Sequence, residues 1–588
     1  MSKWFLSAKK ADFNEIARQF HIDPVVARII RNRDLISEGE IKCYLHGTIE
    51  DMHTFSLLKD IDRAIEILIH KIREKKKIRI IGDYDVDGIC STYILYKGLS
   101  LCGAKVDAVI PHRMKDGYGI NEQLIENAIL DEIDTIITCD NGIAAKEAFA
   151  YAKSSNITCI ITDHHEVPYE EKDGNRVFIL PEVDAVVDPK QPDCKYPYKN
   201  ICGAFVAYKL IEGMFEKLSF DPSHKKELLE LAGFATICDV MELLDENRIL
   251  VKTALKYMSD SDNYGLKALI KVNNLDSNNL SSYHIGFILG PCLNATGRLD
   301  TAKIALELLQ SKSLAEAIPR ATHLKELNDN RKEMTQQGIE QAIALIEKNH
   351  LQNDKVLVVF LPDLHESLAG IIAGRIRERY GKPTFVLTKG EEDLKGSARS
   401  IESYNIYEEM TKCKELFTKY GGHKLAAGLS LKEENLIPFK EKINDLCTLT
   451  SEDYEEKTVI DVPMPFSYVN SDLIQQLSVL EPFGPGNEKP VFAQKSLIFL
   501  SGSIMGKNRD MARFQVKDEQ GENYTLLLFR GRDYFNEYVS GKYGAKACDS
   551  LFQGNHASDE INLDVIYYPS INEYRGKMDI QFIMQDYR

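Results

Sequence analysis

The amino-acid sequence predicts an α/β protein: a parallel-sheet domain, a long connecting helix, a second α/β domain and a C-terminal all-β domain. Three observations carry that prediction. Between about residues 55 and 190, short β-branched runs alternate with helical patterns over short connections, which means a largely parallel sheet covered on both faces. From about 301 to 348 the chain is one heavily charged helical run. After about 490 the pattern turns to strands alone.

With 588 residues, a prior of roughly 150 per domain gives about four domains. Hydrophobic content of 44% and charged content of 28% are those of an ordinary globular protein. A net charge of −16 excludes a chain that coats nucleic acid or membrane by bulk charge, so a polyanion has to be held by a local basic patch or through metal ions. The first 20 residues hold no apolar core of signal-peptide length, and no window approaches a membrane span. Twelve cysteines without a CxxC pair suggest reduced thiols in a cytoplasm rather than disulfides or a zinc cluster.

Residues 1–54 read as an N-terminal helical cap without chemistry. Asp12 caps FNEIARQF and Asp23-Pro24 opens VVARIIRNR; Arg28, Arg31 and Arg33 are expected on a solvated face.

Residues 55–300 form the expected catalytic domain. Helix 60–74 carries Ile61, Ala64, Ile65, Leu68 and Ile72 at helical spacing. Strands are predicted at 78–82, 106–110, 135–139, 157–162 and 185–187, with helices at about 89–101, 121–130 and 144–153. The stretch IRIIGDYDVDGICST is the most informative. Asp83, Asp85 and Asp87 follow its buried strand at every second position, and acids so close repel unless a cation sits among them. The other strands end in Asp140-Asn141-Gly142, Asp163-His164-His165 and Asp188-Pro189-Lys190. Parallel strands bring all these ends to one rim, where open α/β sheets bind ligands. Carboxylates with one or two imidazoles suit Mn²⁺ or Mg²⁺; zinc is disfavoured because Cys139 points the other way.

The stretch GPCLNATGRL at 290–299 reads as a loop projecting Asn294 and Arg298, the latter a phosphate clamp beside the metals. Residues 301–348 connect to the next domain, with Arg331 a lesser substrate-contact candidate. In the second α/β domain, 349–455, strand 355–361, helix 367–380 and strand 383–388 are expected. Its GSARS stretch offers Ser397 and Arg399 on one side of an extended segment, and Gly421, Gly422 and His423 outline an anion-binding nest. Residues 456–588 carry five candidate strands, at 497–505, 511–516, 524–530, 561–568 and 578–586, the number in an OB-fold that binds single strands. Lys507, Arg509, Arg513, Phe514, Phe529, Arg530, Tyr567, Tyr568 and Tyr574 are candidates for its binding face, with half of them expected in the barrel core. AKACDSLFQGNHASDE at 545–560 reads as a loop insertion.

The motifs DYDVDG, DNG and DHH resemble those of the DHH phosphoesterase superfamily. PHRMKDGYGIN, ICDVMELLDENR, GPCLNATGRL, GSARS, GGHKLAAGL and EPFGPGNEKP narrow the resemblance to the RecJ family of single-strand-specific exonucleases, over about residues 50 to 490. The resemblance implies a two-metal site of Asp83, Asp85, Asp87, a bridging Asp140, His164 and Asp239. Asp163 would support the histidines, His165 would face the scissile phosphate and Asp188 would serve as a turn residue. It also implies that residues 349–455 are a DHHA1 domain in which Ser397 and Arg399, with Arg113, grip a 5′ phosphate. One stretch departs from the family: Leu364-His365-Glu366-Ser367-Leu368 stands where a Trp-His-x-Gly-Val sequence is usual.

The implied activity is 5′→3′ release of mononucleotides from single-stranded DNA in recombination and repair, with a single-strand-binding protein and a helicase as candidate partners. Two alternatives are weighed. A hydrolase of pyrophosphate, cyclic dinucleotides or short RNA is generally shorter and lacks GPCLNATGRL and the terminal barrel. A non-catalytic DNA-binding scaffold would have lost carboxylates, and here every ligand position is filled.

Overall fold

The computed structural model describes residues 2–112, 119–506, 509–553, 561–574 and 577–588. The chain forms two compact units, one of Thr48–Tyr454 and one of Met1–Gly47 with Glu455–Arg588. Among the described residues no helix is long and apolar enough to cross a membrane.

The first unit is built on five parallel strands: β1 (Lys77–Ile81), β2 (Lys105–Val109), β3 (Thr135–Cys139), β4 (Thr158–Thr162) and β5 (Ala185–Val187), in the order β2-β1-β3-β4-β5. Their continuous apolar runs follow from burial on both faces. Ile78, Ile80, Ile137 and Ile160 enter one core; Ile81, Ile136 and Ile161 enter the other. The register keeps the carboxyl ends level: Ile81 pairs with Thr138, Cys139 with Thr162, and Thr162 with Val187. The acids that follow each strand therefore emerge along one rim.

Helix α1 (Val86–Leu101) leaves that rim, and its residues are buried almost all round because α2 (Gly203–Lys217) and α3 (Lys225–Cys238) pack over it. It starts three residues earlier than the sequence pattern suggests, so Asp87 sits in its first turn. The GPCLNATGRL stretch is not the expected loop. It is helix α4 (Gly290–Leu299), preceded by a π-helical turn, Ile285–Leu289. Its glycines misled the sequence reading: they serve close packing rather than a turn.

Helix α5 (Leu314–Lys348) packs on α4 and reaches the second sheet's helix. That sheet contains β6 (Leu357–Phe360), α6 (Ala369–Tyr380), β7 (Thr384–Lys389), β8 (Leu394–Arg399), β9 (Lys419–His423) and β10 (Ala426–Leu431), in the order β9-β10-β8-β7-β6. Gly338 lets α5 meet α6: a Cβ there would lie 2.4 Å from Ile372 Cδ1. Gly421, Gly422 and His423 belong to the edge strand β9 and not to a nest-forming loop, because Gly421 pairs with Gly428 and His423 with Ala426.

In the second unit, strands Phe492–Met505, Met511–Lys517, Asn523–Leu528, Lys577–Tyr587 and Asn562–Tyr574 pair in that cyclic order, and the last pairs back to the first. This closed five-stranded barrel is consistent with the OB-fold. Of the seven candidates whose side chains are described, three, Phe514, Tyr567 and Tyr568, are core residues, and four, Phe529, Arg509, Arg513 and Arg530, are exposed. Lys507 and the side chain of Tyr574 lie outside the described residues. The expected insertion at 545–560 begins as a helix, Ala545–Phe552, which follows another, Arg532–Tyr543; Phe535, Val539 and Leu551 bury against the barrel. The N-terminal helices share this core through Val26, Ile29, Ile30 and Leu45. Arg33 is not on a solvated face. Its Nε donates to Asn487 Oδ1 at 2.6 Å, which also accepts from the Tyr44 hydroxyl, so EPFGPGNEKP is a joint between helices and barrel.

Glu230 of α3 is buried, and the Ser261 hydroxyl donates to it. Burial pushes its carboxyl up to about 7. A folded-state value above the unfolded one means that stability is present at low pH and is lost as pH rises through this range. Glu230→Gln should therefore raise the melting temperature of this unit by a few degrees at pH 8 and by much less at pH 5; equal shifts at both pH values would contradict the assignment.

Candidate metal centre

The rim acids do not sit loosely in solvent. Asp83, Asp87 and Asp140 are each only 2% exposed. Asp85 caps α1, accepting the Gly88 N–H at 3.1 Å. Asp140 takes a left-handed backbone, φ 59°, at the sharp exit from β3, and such strain in a non-glycine residue is concentrated at functional sites. Asn141 braces that exit, donating to the Ile81 and Cys139 carbonyls and accepting the Ile120 N–H.

Two donor groups result, each with ligand atoms within 4.8 Å of one another: Asp83, Asp85 and Asp140, and Asp87, His164 and Asp239. A third, Asp140 with His164 and His165, overlaps both. His164 Nε2 stands 3.1 Å from Asp140 Oδ1, 3.5 Å from Asp87 Oδ2 and 3.7 Å from Asp239 Oδ2. The structure thus brings together every residue the sequence assigns to the metals. Asp87 is also anchored: its oxygens accept the N–H groups of Gly203 (2.6 Å) and Ala204 (2.8 Å) at the start of α2. Sequence reading missed that anchor, and NICGAF carries no local signal for it.

Burial and mutual repulsion raise the carboxyls of Asp85, Asp140 and Asp239. Asp140 is pushed well above the usual range by burial and then by Asp87 and Asp85. Asp85 is raised for the same two reasons, burial and Asp87. Asp239 rises to about 8 through burial, Asp87 and Asp85. Burial pulls the His164 imidazole down, towards the neutral form a metal ligand needs. Cations among these atoms would remove the repulsion, so the donor set fits divalent metal, and its oxygen-rich character fits Mn²⁺ or Mg²⁺.

His165 differs. Burial lowers its pKa, but the hydrogen bond between its Nδ1 and Asp163 Oδ1 (2.7 Å), with Asp239 and Asp87 nearby, holds it up at about 9. Asp163 also accepts the N–H groups of His164, His165 and Ile143, so it orients both histidines and the DNG turn. Asp188 is a turn residue, accepting the Lys190 N–H at 2.7 Å.

Helix α4 is fitted against this centre by glycine. A Cβ on Gly297 would lie 2.4 Å from the Tyr84 carbonyl oxygen, and one on Gly290 2.4 Å from Cys238 Sγ, next to Asp239. Asn294 and Arg298 are half-buried on this helix. Arg298 Nη1 donates to the Ser367 carbonyl at 2.8 Å, which ties α4 to the Leu364–Leu368 stretch before α6. Gly370 of α6 lies over Ser397 and Arg399: its Cβ would sit 3.1 Å from Arg399 Nη2 and 3.5 Å from Ser397 Cβ. Across the sheet, Ser397 aligns with Gly428 and Gly421, and Arg399 with Ala426 and His423. Ser397, Arg399, Gly421 and His423 therefore share one face. Gly422 falls on the other, where a Cβ would meet Ala427. A Cβ on Gly421 would meet nothing within 4 Å, so the floor beside Ser397 is bare backbone. Arg331 is held by Asn328 at 3.1 Å. Arg113 lies outside the described residues.

Gly297→Ala should overpack the Tyr84 contact by about 1–3 kcal/mol and displace the aspartate loop. Mn²⁺ affinity measured calorimetrically should fall about tenfold or more with the circular dichroism spectrum unchanged; wild-type affinity would show that the contact is slack.

Models of known families match three segments: the DHH family N-terminal domain at 77–236, the DHHA1 domain at 353–449 and the RecJ OB domain at 460–586. The chain is 32% identical over 592 residues to the single-stranded-DNA-specific exonuclease RecJ of Salmonella typhimurium, covering 96% of each chain. It is 33% identical over 525 residues to the Bacillus subtilis RecJ; that alignment takes in 88% of this chain but 65% of the relative. The crystal structure of RecJ in complex with Mn²⁺ from Thermus thermophilus is similar at a TM-score of 0.80 and 25% identity, covering 100% of this chain and 79% of that one. With the donor groups, the two α/β domains and the barrel all in place, the chain belongs to the RecJ family of single-stranded-DNA-specific exonucleases.

Proposed function

We propose that this chain hydrolyses single-stranded DNA from its 5′ end, using two divalent ions, and releases 5′-mononucleotides. The observation that carries the reading is Asp140: one buried carboxylate belongs to the Asp83–Asp85 group and stands 3.1 Å from His164 Nε2 of the other, as a bridge between two ions requires. In this reading Asp83 and Asp85 hold one ion, Asp87, His164 and Asp239 hold the other, and Asp140 serves both. The chemistry such ions supply is Lewis acidity, which makes water a nucleophile near neutral pH and offsets phosphate charge. His165, held cationic by Asp163, donates a hydrogen bond to a phosphoryl oxygen as charge builds there. Arg298 and Asn294 flank the same phosphate from α4. Ser397 and Arg399, with Arg113, receive the 5′ phosphate over the bare floor beside Gly421 and His423. Gly422, facing away, contributes backbone only.

The metals also explain how a chain of net charge −16 handles a polyanion. The cellular setting in this reading is the cytoplasm, in recombination and repair, where a single-strand-binding protein and a helicase would present the substrate.

With Mn²⁺ and strands labelled separately at each end, the 5′ label should leave first as a mononucleotide. Asp140→Ala should cut turnover roughly a thousandfold or more while strand binding persists; retained hydrolysis would refute the bridging role. Arg399→Ala should raise KM about tenfold or more for a 5′-phosphorylated strand, and far less for a 5′-hydroxyl strand, as loss of a charge-assisted bond predicts. Rapid cleavage of a cyclic dinucleotide with no action on long strands would favour the small-substrate alternative.

A further inference from the structure

The helix that carries Asn294 and Arg298 begins with two aromatic residues that the core does not use. Tyr283 is 58% exposed and Phe287 65%, and their rings stack at 5.2 Å with an interplanar angle of 26°. Both lie in the continuous helical stretch that runs through the π-turn into α4. Pro291 has no N–H to give the Phe287 carbonyl, and the ladder widens there into the π-turn. Gly286 seats this turn on Ile237, where a Cβ on the glycine would lie 3.5 Å from Ile237 Cγ2, and the Ile237 carbonyl accepts the Val240 N–H. Val240, next to the candidate ligand Asp239, is 68% exposed and left-handed at φ 58°, a costly conformation for a β-branched residue. The π-turn that carries Phe287 thus packs on the helix whose end leads into Asp239, and its stacked aromatic pair stays exposed.

We propose that Tyr283 and Phe287 form a stacking shelf for nucleobases of the bound single strand, a few nucleotides from the scissile phosphate. This rests on the nuclease reading and adds a subsite to it. Every base has a π-face, so a stacked aromatic pair holds a strand without reading its sequence. The shelf is continuous with the catalytic helix: Phe287 and Arg298 are about 16 Å apart along the axis, at roughly 1.5 Å per residue, with Asn294 between them. The occupant is nucleic acid rather than a protein because the shelf leads into Asn294 and Arg298, both of which face phosphate in the proposed reaction.

The test measures binding of a fluorescent, 5′-phosphorylated 12-nucleotide strand in EDTA, where no cleavage occurs. The double substitution Tyr283→Ala and Phe287→Ala should weaken binding about tenfold or more, while Phe287→Trp keeps it. The melting temperature should not change, since both side chains are exposed. Abasic sites placed at the third to sixth nucleotides should weaken the wild-type complex by a similar factor and leave the double variant's unaffected. Wild-type affinity in the double variant, or equal sensitivity of both proteins to abasic sites, would overturn the shelf. Wild-type protein that binds with this base dependence but leaves the strand uncut in Mn²⁺ would retain the shelf and overturn the nuclease reading.

Discussion

Buried like charge is the constraint on which this protein is organised. Carboxylates from the ends of β1 and β3 and from the end of α3 crowd one sheet rim around a single imidazole nitrogen. Without cations, burial and mutual repulsion drive the carboxyls of Asp85, Asp140 and Asp239 upward, Asp140 most clearly. A site built this way favours folding with metal over folding without it, because the ions remove a cost that the sheet topology imposes.

Much of the surrounding structure holds those acids in place. Backbone amides at the start of α2 fix Asp87, Asn141 locks the turn after β3, and Asp163 orients the histidines. Glycines in α4 then bring a helix to within contact of the aspartate loop and of Cys238. The same helix reaches through Arg298 to the loop before α6, which in turn covers Ser397 and Arg399. Candidate metal ligands and candidate substrate contacts are thereby connected by one run of close packing.

The departure at Leu364–Leu368 takes on a specific meaning in this arrangement. The contact made by Ser367 is through its carbonyl, which any residue supplies, while its hydroxyl pairs with His365. Loss of the usual aromatic there leaves the docking of Arg298 intact. The exposed Tyr283–Phe287 pair is a separate aromatic surface on the helical stretch that leads into α4.

The sequence by itself determined the fold class, the parallel strands and the clustering of the candidate metal ligands at one rim, because strand periodicity and acids at strand ends are local patterns. It also put Ser397 and Arg399 on one side of an extended segment, and the sheet register then added His423 to that face. It misread 290–299 as a loop and 421–423 as a nest, since glycine marks a turn, a strand and a close helix contact alike and only neighbours distinguish them, and it took the short helix at the start of the 545–560 segment for an insertion loop. Tertiary structure alone decided that Gly203 and Ala204 anchor Asp87, that Arg298 docks on Ser367 and that Arg33 belongs to a buried joint. Those contacts join residues 116, 69 and 454 positions apart, a separation at which no local pattern carries information.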